Sequence, residues 1–280
     1  MNSVRIRVPA TTANLGPGYD CLGVALRLSN VVEVRRGARP VAHPMADEAA
    51  DAFFRASGLR PFRFGWSIAG EVPVSRGLGS SVTLRLGLLH ALDALSGSPL
   101  GRERLFELCA DLEGHPDNAA PAAFGGFNVA GPSGARIRFP VAARLRFVLL
   151  IPEREVRTSA ARKVLPATLP HRDAARSLGN ACVITAAFAS GDYRALRGAF
   201  EDALHQPFRT PLLPELPRVI EAGTRAGALG GFLSGSGSTI ACVTLSNAER
   251  VASAMAAAWG PDPARTLLTE ADNRGARPLR

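Results

Sequence analysis

The apolar positions of the chain recur with two periods, and each period predicts its own kind of element. Leu84, Leu88 and Leu92 are spaced as on one face of a helix, and this spacing predicts a helix over 80–95. The dipeptide Ser96-Gly97 supplies a stop signal directly after it. Further segments with helical spacing lie at 47–57, 102–113, 174–190, 193–204, 214–226 and 248–259.

Short apolar or alternating runs predict strands between these helices. The predicted strands lie at 4–8, 20–28, 31–34, 62–68, 145–151, 228–233, 239–245 and 265–269. Because strands and helices follow one another in irregular order, the expected fold class is α+β. The character of the chain changes at Pro152, so we expect two lobes, 1–152 and 153–280. The polar, basic tail from Asp272 onward is expected to be frayed.

Composition narrows the classes of protein to consider. The 280 residues are 46% hydrophobic and 20% charged, which is enough apolar material for a buried core. No stretch approaches the roughly 18 consecutive apolar residues of a membrane span. The N-terminus alternates Arg with Val and Ile, so it predicts a strand and not a signal peptide. These features favour a globular cytoplasmic protein with no membrane partner.

The charge balance favours a small anionic ligand over nucleic acid. The net charge is +9, and nearly all of the positive charge is arginine, since Lys163 is the only lysine. The arginines are scattered, and aromatic residues make up only 6% of the chain, which is thin for stacking on bases. The four cysteines contain no C-x-x-C pair, so we expect free, buried, reduced thiols and no zinc site.

The most informative segment runs from Pro73 through Gly77-Leu-Gly-Ser-Ser81 directly into the predicted helix 80–95. Glycines let main-chain N–H groups approach an anion, and the helix start adds unpaired donors and partial positive charge. No lysine follows the glycines, so the segment is not a Walker A loop, and it lacks the third glycine of a dinucleotide fingerprint. It predicts a phosphate cradle, with a plain helix-capping turn as the alternative.

Two further glycine-rich segments shift the balance towards a ligand site. Residues 9–20 form a stretch of small residues that carries Asn14 and Asp20, and residues 230–239 lead into a predicted strand. A fourth segment, Glu113-Gly-His-Pro-Asp-Asn118, concentrates polar side chains after a predicted helix. Several such segments in one chain rarely arise from turn chemistry alone.

Together these four segments resemble the motifs of the GHMP family of small-molecule kinases, and within it most closely those of the homoserine kinases. The first matches P-A-x-x-A-N-x-G-x-G-x-D, the second the G-L-G-S-S phosphate loop, and the fourth E-G-H-P-D-N. The third is similar to the family's C-terminal S-G-x-G motif, with Ser238 in place of its proline. The resemblance implies a ribosomal-protein-S5-like N-terminal lobe, a ferredoxin-like C-terminal lobe, and an active site in the cleft between them.

The resemblance also implies an activity and its cofactors. The expected reaction is phosphorylation of the side-chain hydroxyl of L-homoserine to O-phospho-L-homoserine, a step towards threonine, with ATP and Mg²⁺. The resemblance is also compatible with a homodimer.

Site residues carry over from the resemblance position by position. ATP would be bound by Pro73, Arg76, Gly77, Leu78, Gly79, Ser80 and Ser81. The metal would be held by Ser81 and by Glu107, which lies at the family's spacing of eleven positions before Asn118. The substrate would be bound by Asn14, Asp20, His115, Asn118, Arg162 and Arg209. The expected catalytic residues are Asn118, Thr158, which would approach the reacting hydroxyl, and Ser81.

The chemistry of these residues is coherent by itself. A zwitterionic amino acid needs a carboxylate for its amine and a guanidinium for its carboxylate, and Asp20, Arg162 and Arg209 supply them. Related kinases for mevalonate and galactose have Asp where Asn118 stands, and an amide cannot accept a proton. We therefore expect phosphoryl transfer without a protein base, carried by positioning and charge neutralisation.

Alternatives stay open at this stage. The chain could be a GHMP kinase for another small hydroxyl compound, such as threonine or a sugar. It could also be a non-catalytic basic protein on the same scaffold, with a nucleic-acid-binding or regulatory role. The stretch between Val34 and Phe62 is short for the family's adenine-flanking elements, so the nucleotide preference is open too.

Overall fold

A computed structural model describes residues 2–131 and 134–279 and builds them into two β-sheets with helices packed on them. The strands are β1 Ser3–Asn14, β2 Gly18–Arg36, β3 Phe64–Gly70, β4 Phe127–Ala130, β5 Arg136–Phe139, β6 Arg146–Pro152, β7 Gly230–Leu233, β8 Ile240–Thr244, β9 Ala264–Thr269 and β10 Arg277–Pro278. The α-helices are α1 Pro44–Ser57, α2 Ser80–Leu95, α3 Gly101–Glu113, α4 Ala119–Phe124, α5 Thr158–Lys163, α6 His171–Ser190, α7 Gln206–Arg209, α8 Leu216–Arg225 and α9 Ala248–Trp259. None of the helices within these two ranges is both long and apolar enough to cross a bilayer.

The first sheet has the strand order β10-β1-β2-β4-β5, with β3 also paired to the long strand β2. Inward residues such as Ile6, Val8 and Val32 are almost fully buried and share one core with α1, α2 and α3. Helix α2 is buried over most of its circumference, with Leu86, Leu88 and other apolar side chains in the core. Burial of this extent holds the N-terminal end of α2 in a fixed place.

The second sheet is antiparallel with the order β7-β8-β6-β9. Helix α8 packs on β7, and α9 packs on β6 and β9, around a core that includes Val219, Val251 and Met255. If these four strands are numbered 1 to 4 along the chain, they lie in the sheet in the order 2-3-1-4. Helix α8 comes before the second strand, and α9 comes before the fourth. This is the ferredoxin-like arrangement, so the expected α+β class and the expected second lobe are confirmed.

The two sheets do not divide the chain at residue 152. Strand β6 lies wholly in the second sheet, so the break between the sheets falls after β5, between residues 139 and 146. The chain also returns to the first sheet at its end, where β10 pairs with β1. The lobes 1–152 and 153–280 therefore stay a prediction about domains, and the sheets favour an earlier boundary.

The prediction of a frayed tail is wrong. The carboxylate of Asp272 is buried and accepts hydrogen bonds from the backbone N–H of Arg274 and Gly275 and from the Arg277 guanidinium. Asp272 also exchanges backbone hydrogen bonds with Ala25 and Gly126. The tail is held by side-chain and backbone hydrogen bonds instead of apolar packing. Its polar composition therefore gave no sign that it is ordered.

Four local predictions also need correction. The strand predicted at 4–8 extends through residues 9–14 as part of β1, and the strands predicted at 20–28 and 31–34 form one strand, β2. The helix expected over 193–204 shrinks to a 3₁₀ turn at Tyr193–Leu196, because Gly198 takes a left-handed conformation with φ +80°. All four cysteines are free, but Cys182 is exposed on α6 and Cys21 is half-buried, whereas Cys109 and Cys242 are buried as expected.

Candidate active site

A cavity of about 700 Å³ lies between the two sheets, at the N-terminal end of α2. Most of the predicted site residues line it, namely Asn14, Asp20, Gly77, Gly79, Ser80, Ser81, His115, Asn118, Thr158, Arg162 and Arg209. Pro73, Arg76, Leu78 and Glu107 do not line it. The structure thus brings together residues that are up to 195 positions apart in the sequence.

The glycine-rich loop is held in a conformation that only glycine fits easily. Gly77 and Gly79 have φ of +71° and +69°. A Cβ on Gly79 would lie 2.2 Å from Oγ1 of Thr11, and a Cβ on Gly77 would lie 2.1 Å from the carbonyl oxygen of Ser234. Both glycines are therefore required by the close approach of the first and third glycine-rich segments.

Hydrogen bonds join these three segments into one wall. The Ser234 hydroxyl donates to the carbonyl oxygen of Gly77 at 2.7 Å and shares a hydrogen bond of 2.8 Å with the Thr12 hydroxyl. The N–H of Thr11 donates to the carbonyl of Leu78. Helix α2 starts directly behind this wall, and the N–H groups of its first turn have no partner within the helix. An anion placed there meets free donors and the positive end of the helix dipole.

Two side chains of the predicted ATP loop have other roles. Leu78 is 1% exposed and belongs to a hydrophobic core. The Arg76 guanidinium turns away from the cavity and donates to the carbonyl oxygens of Pro152 and Glu153. The expectation that these side chains face the nucleotide is therefore corrected: Arg76 ties the glycine-rich loop to the end of β6. The physical reason is that the carbonyl oxygens of Pro152 and Glu153, at the end of β6, lie within hydrogen-bonding distance of the Arg76 guanidinium.

Glu107 is wrongly assigned as a metal ligand. It lies on the outer face of α3, with its side chain 53% exposed, and pairs with Arg104 one turn away. The carboxylate at the cavity is Glu113, the last residue of α3, whose Oε2 accepts a 2.8 Å hydrogen bond from the Ser81 hydroxyl. Its Oε1 pairs with Arg85 at 2.7 Å. Only five positions separate Glu113 from Asn118, so a spacing of eleven selects the wrong face of the helix.

Asp20 and Arg162 form a two-pronged ion pair at one end of the cavity. The two guanidinium nitrogens lie 2.8 and 3.0 Å from the two carboxylate oxygens, and Arg162 also donates to the Tyr19 hydroxyl at 2.8 Å. Burial by itself would lower the pKa of Arg162, but the hydrogen bond and charge of Asp20 raise it above its ordinary value. Both side chains are about one third exposed, so they are accessible from the cavity.

Arg209 approaches the same place from the second lobe but is almost fully buried. Its Nε donates to the carbonyl of Ala161 at 3.1 Å, and one terminal nitrogen donates to the carbonyl of Gly235 at 3.0 Å. The guanidinium lies 5.3 Å from the centre of the Tyr19 ring. Burial lowers its pKa, and an arginine remains charged nevertheless. The structure thus places a desolvated positive charge beside Asp20 and Arg162.

Asn14 uses half of its side-chain hydrogen-bonding capacity within the protein. Its amide nitrogen donates to the carbonyl of Gly235 at 3.0 Å, and its carbonyl oxygen accepts the N–H of Asp20 at 3.0 Å. One amide N–H and one acceptor position on the oxygen remain. Asn14 therefore shapes the segment that carries Asp20.

His115, Asp117 and Asn118 form a connected group beside Asp20, because one polar side-chain atom from each of Asp20, His115 and Asp117 lies within 4.8 Å of the other two. The His115 Nδ1 and one oxygen of Asp117 are 2.6 Å apart, and the side chain and backbone N–H of Asn118 donate to the same oxygen. Burial tends to lower the pKa of His115, but the hydrogen bond and charge of Asp117 outweigh it and raise the pKa. The Asn118 carbonyl oxygen accepts a 2.6 Å hydrogen bond from the Thr11 hydroxyl. Asp117 is thus a site residue that the sequence reasoning missed, although it lies inside the fourth motif.

Thr158 lies at the start of α5, where its hydroxyl is 3.4 Å from that of Ser236 in the third glycine-rich segment. Both residues line the cavity. The short helix α5 also carries Arg162, so a single turn of helix presents a hydroxyl and a guanidinium to the same space.

The far end of the cavity is apolar and aromatic. His43, Met45, Trp66 and Ile68 form its walls, and the rings of His43 and Trp66 meet edge to face with centroids 5.8 Å apart. His43 Nδ1 is buried and has no hydrogen-bond partner in the part of the chain that the structure describes. The stretch after Val34 therefore contributes a cavity wall through α1 and its N-cap, despite its shortness.

Known proteins are similar to this chain over nearly its full length. The family model for the GHMP kinases N terminal domain matches residues 44–126, and the model for the GHMP kinases C terminal matches residues 184–261. The curated homoserine kinase of Thermus thermophilus is 41% identical over 96% of this chain and 96% of its own length. The homoserine kinase of Caldicellulosiruptor bescii is 36% identical, over 98% of this chain and 96% of its own length.

Solved structures agree on the fold. The crystal structure of homoserine kinase from Cytophaga hutchinsonii superposes with a TM-score of 0.91 at 24% identity, covering 100% of this chain and 98% of that chain. The galactokinase of Lactococcus lactis, solved with galactose, superposes with a TM-score of 0.75 at 15% identity, covering 99% of this chain and 95% of that chain. With both family models matched and relatives of this identity along the whole chain, the protein belongs to the GHMP kinase family and, within it, to the homoserine kinases.

Proposed function

We propose that this protein transfers the γ-phosphoryl group of ATP to the side-chain hydroxyl of L-homoserine and releases O-phospho-L-homoserine, a step towards threonine. The observation that supports this proposal most strongly is a single cavity with two chemically different ends, joined by a glycine-rich loop of the kind that binds phosphate. One end presents Asp20, Arg162 and Arg209, and the other is apolar and aromatic. The similarity to curated homoserine kinases supports the same assignment.

The charged end fits an α-amino acid. A carboxylate such as Asp20 suits an ammonium group, and a guanidinium fork suits a carboxylate. A sugar offers neither charge, so a neutral polyol would leave Arg162 and Arg209 without their preferred partner. In this proposal the substrate's two charges bind between Asp20 and the two arginines, and His115 and Asn118 face its hydroxyl end.

The loop 77–81 is proposed to bind the phosphates through backbone N–H groups. Its two glycines and the start of α2 provide donors without the bulk of side chains. The nucleobase would then lie against His43, Trp66 and Ile68, at the apolar end. The side chains of Arg76 and Leu78 support this loop instead of touching the nucleotide, and Pro73 does not line the cavity.

The residues around Ser81 fit a magnesium ion. Mg²⁺ prefers oxygen ligands and usually takes one or two carboxylates together with phosphate oxygens and water. Ser81 and Glu113 offer a hydroxyl and a carboxylate 2.8 Å apart at the mouth of the phosphate loop. When bound, the ion would neutralise charge on the β- and γ-phosphates.

The reaction is proposed to proceed without a strong protein base. Asn118 is held by Thr11 and Asp117, and an amide cannot accept the proton of the attacking hydroxyl. Thr158 and Asn118 would orient that hydroxyl towards the phosphate. Rate acceleration then comes from alignment and from the positive charges around the transferred group.

The proposal includes a cytoplasmic location, which the four free cysteines favour because reduced thiols persist there. A homodimer remains part of the prediction, and size-exclusion chromatography with light scattering tests it.

A substrate panel tests the function. ADP release is measured with L-homoserine, L-threonine, L-serine and galactose at fixed ATP and Mg²⁺, and the phosphorylated product is identified by mass spectrometry. We expect L-homoserine to give the highest kcat/KM. A neutral sugar as best substrate, or salt-dependent RNA binding with no ATP turnover, would overturn the proposal in favour of one of the other functions considered for the sequence.

A further inference from the structure

A fully buried histidine, His205, connects the two halves of the amino-acid site. Its Nε2 lies 2.8 Å from the carbonyl oxygen of Gly16, and its Nδ1 lies 3.2 Å from a terminal nitrogen of Arg209. Its ring stacks at a tilt on Tyr19, with centroids 5.3 Å apart. His205 does not line the cavity, so it has no direct contact with a substrate there.

The hydrogen bonds determine the protonation state of this histidine. A guanidinium can only donate, so Nδ1 must accept from Arg209. The proton then sits on Nε2, which donates to the Gly16 carbonyl. Burial lowers the pKa of His205 to about 4, the charge of Arg209 acts in the same direction, and Asp202 and Asp20 oppose it. The ring is therefore neutral at neutral pH, as this arrangement requires.

Gly16 belongs to the unusual turn that presents Asp20. Asn14, Leu15 and Gly16 have φ of +70°, +47° and +74°, three successive left-handed residues. Left-handed backbone is unfavourable for residues other than glycine, so external contacts must hold the turn. His205 supplies one such contact, and Asn14 supplies another by donating to the Gly235 carbonyl.

The Gly235 carbonyl also accepts from Arg209, at 3.0 Å. The turn that carries Asp20 and the guanidinium of Arg209 are thus joined twice, once through Gly235 and once through the His205 ring. Asp202 in turn fixes the backbone of the histidine, since its carboxylate accepts the N–H groups of Leu204, His205 and Gln206. The histidine therefore has one well-defined position.

We propose that His205 is a positioning residue that keeps Arg209 at a fixed distance from the Asp20 turn and thereby makes the enzyme select substrates with both an ammonium and a carboxylate group. The inference rests on the proposed function, because it assigns the carboxylate of the amino acid to Arg209. In this proposal the selectivity for amino acids depends on Nδ1 as a hydrogen-bond acceptor for Arg209 more than on the size of the imidazole ring.

Two polar variants separate the two ends of the ring. In His205→Asn the side-chain carbonyl oxygen can take the place of Nδ1 and still accept from Arg209. In His205→Gln the longer amide reaches the Gly16 carbonyl but leaves no acceptor at the position of Nδ1. Each variant is assayed with L-homoserine and with 2-aminobutane-1,4-diol, in which CH₂OH replaces the carboxylate. Thermal unfolding of each variant shows that it is folded.

The decisive quantity is the ratio of kcat/KM for homoserine to kcat/KM for the diol. We expect His205→Gln to lower this ratio about tenfold, as the loss of one charged hydrogen bond implies, and His205→Asn to keep it within about threefold of the wild-type value. The KM for ATP should stay within about twofold in both. As a matched control, His90→Leu removes another buried imidazole that does not line the cavity, and it should leave the ratio unchanged.

The outcomes are distinguishable from failure of the proposed function. If wild-type protein does not phosphorylate homoserine, the function itself is wrong. If wild-type protein is active but both variants lose activity equally on the two substrates, His205 has only a structural role and the inference is overturned. An Asn variant that loses the ratio as fully as the Gln variant also contradicts it, because the acceptor would then not matter.

Discussion

Arg162 grips Asp20 with two hydrogen bonds of 2.8 and 3.0 Å, so two groups assigned to opposite charges of the substrate neutralise each other. An amino acid that enters must replace this ion pair with its own ammonium and carboxylate. The exchange breaks one ion pair within the protein and forms two between the protein and the substrate. It also means that the site is preorganised for a zwitterion more than for a simple anion or cation.

Asp20→Asn tests this exchange. The ion pair is about one third exposed, so its loss should change the free energy of unfolding by no more than about 1 kcal/mol. The substrate's ammonium, however, loses a charged partner worth roughly 1.5–3 kcal/mol, so kcat/KM for homoserine should fall about 10- to 100-fold. Steady-state kinetics and urea denaturation measure both. A large loss of stability with unchanged kcat/KM would show that Asp20 is structural.

Glu113→Gln and Glu107→Gln form a matched pair on one helix. Glu113 contacts Ser81 at the phosphate loop, whereas Glu107 is exposed and pairs with Arg104. We expect Glu113→Gln to lower kcat at least about tenfold and to raise the Mg²⁺ concentration needed for half-maximal rate, because a neutral amide binds a hard cation less well. Glu107→Gln should stay within about twofold. Titration of activity with MgCl₂ at saturating ATP decides, and equal effects from both variants would contradict the assignment.

Gly79→Ala tests the tight approach of Thr11. The new methyl group would lie 2.2 Å from Thr11 Oγ1, and the residue has φ +69°. Gly97→Ala is the control, since Gly97 has φ +84° but a Cβ there meets nothing within 4 Å. The control should lose roughly 1–2 kcal/mol of unfolding free energy from backbone strain alone and keep its KM for ATP. Gly79→Ala should lose more stability and raise the KM for ATP at least about tenfold. An unchanged KM would mean that the loop does not bind the nucleotide.

Buried histidines predict acid sensitivity of the fold. Burial lowers the pKa of His90 to about 4, with Arg102 acting in the same direction, and the pKa of His205 is also about 4. Unfolded histidine titrates near 6.5, so the unfolded chain binds more protons between pH 6.5 and 4. The free energy of unfolding should therefore fall as the pH drops through this window, by a few kcal/mol in all.

His115 contributes in the opposite sense, because its pKa is raised. Its share of the stability is present below pH 6.5 and is lost as the pH rises through the folded value. Urea denaturation between pH 4.5 and 7.5 measures the sum. In His90→Leu, the free energy of unfolding should fall less steeply as the pH drops below 6.5. An unchanged pH dependence in that variant would show that His90 is not protonated on unfolding.

The sequence was sufficient for the elements that bury a periodic apolar face. The helices predicted at 80–95 and 248–259 match α2 and α9 in both bounds. In each, the sequence shows apolar residues at helical spacing followed by a residue that stops the helix. Short elements held by tertiary hydrogen bonds, such as α4 and α7, carry no such period and could not be predicted from it.

Motifs identified the site residues more reliably than spacing did. Glu113 is the first residue of the fourth motif and the last residue of α3, yet counting eleven positions selected Glu107, which lies on the exposed face of the same helix. The sequence also does not show in which direction a long side chain points. Arg76 could turn towards the cavity or towards the carbonyl oxygens at the end of β6, and it binds the latter. His205 gave no signal at all, because burial and partners decide its role.

The pairing of β10 with β1 sets the register of Ile6 opposite Pro278 and of Arg7 opposite Arg277, so both ends of the described chain finish side by side in one sheet. The ferredoxin-like layer is consequently an excursion that leaves the first sheet after Phe139 and rejoins it near Ala271. Any movement of the second sheet against the first must therefore deform both crossings, and it must also disturb the core that residues of the two sheets share, such as Val24 and Phe147.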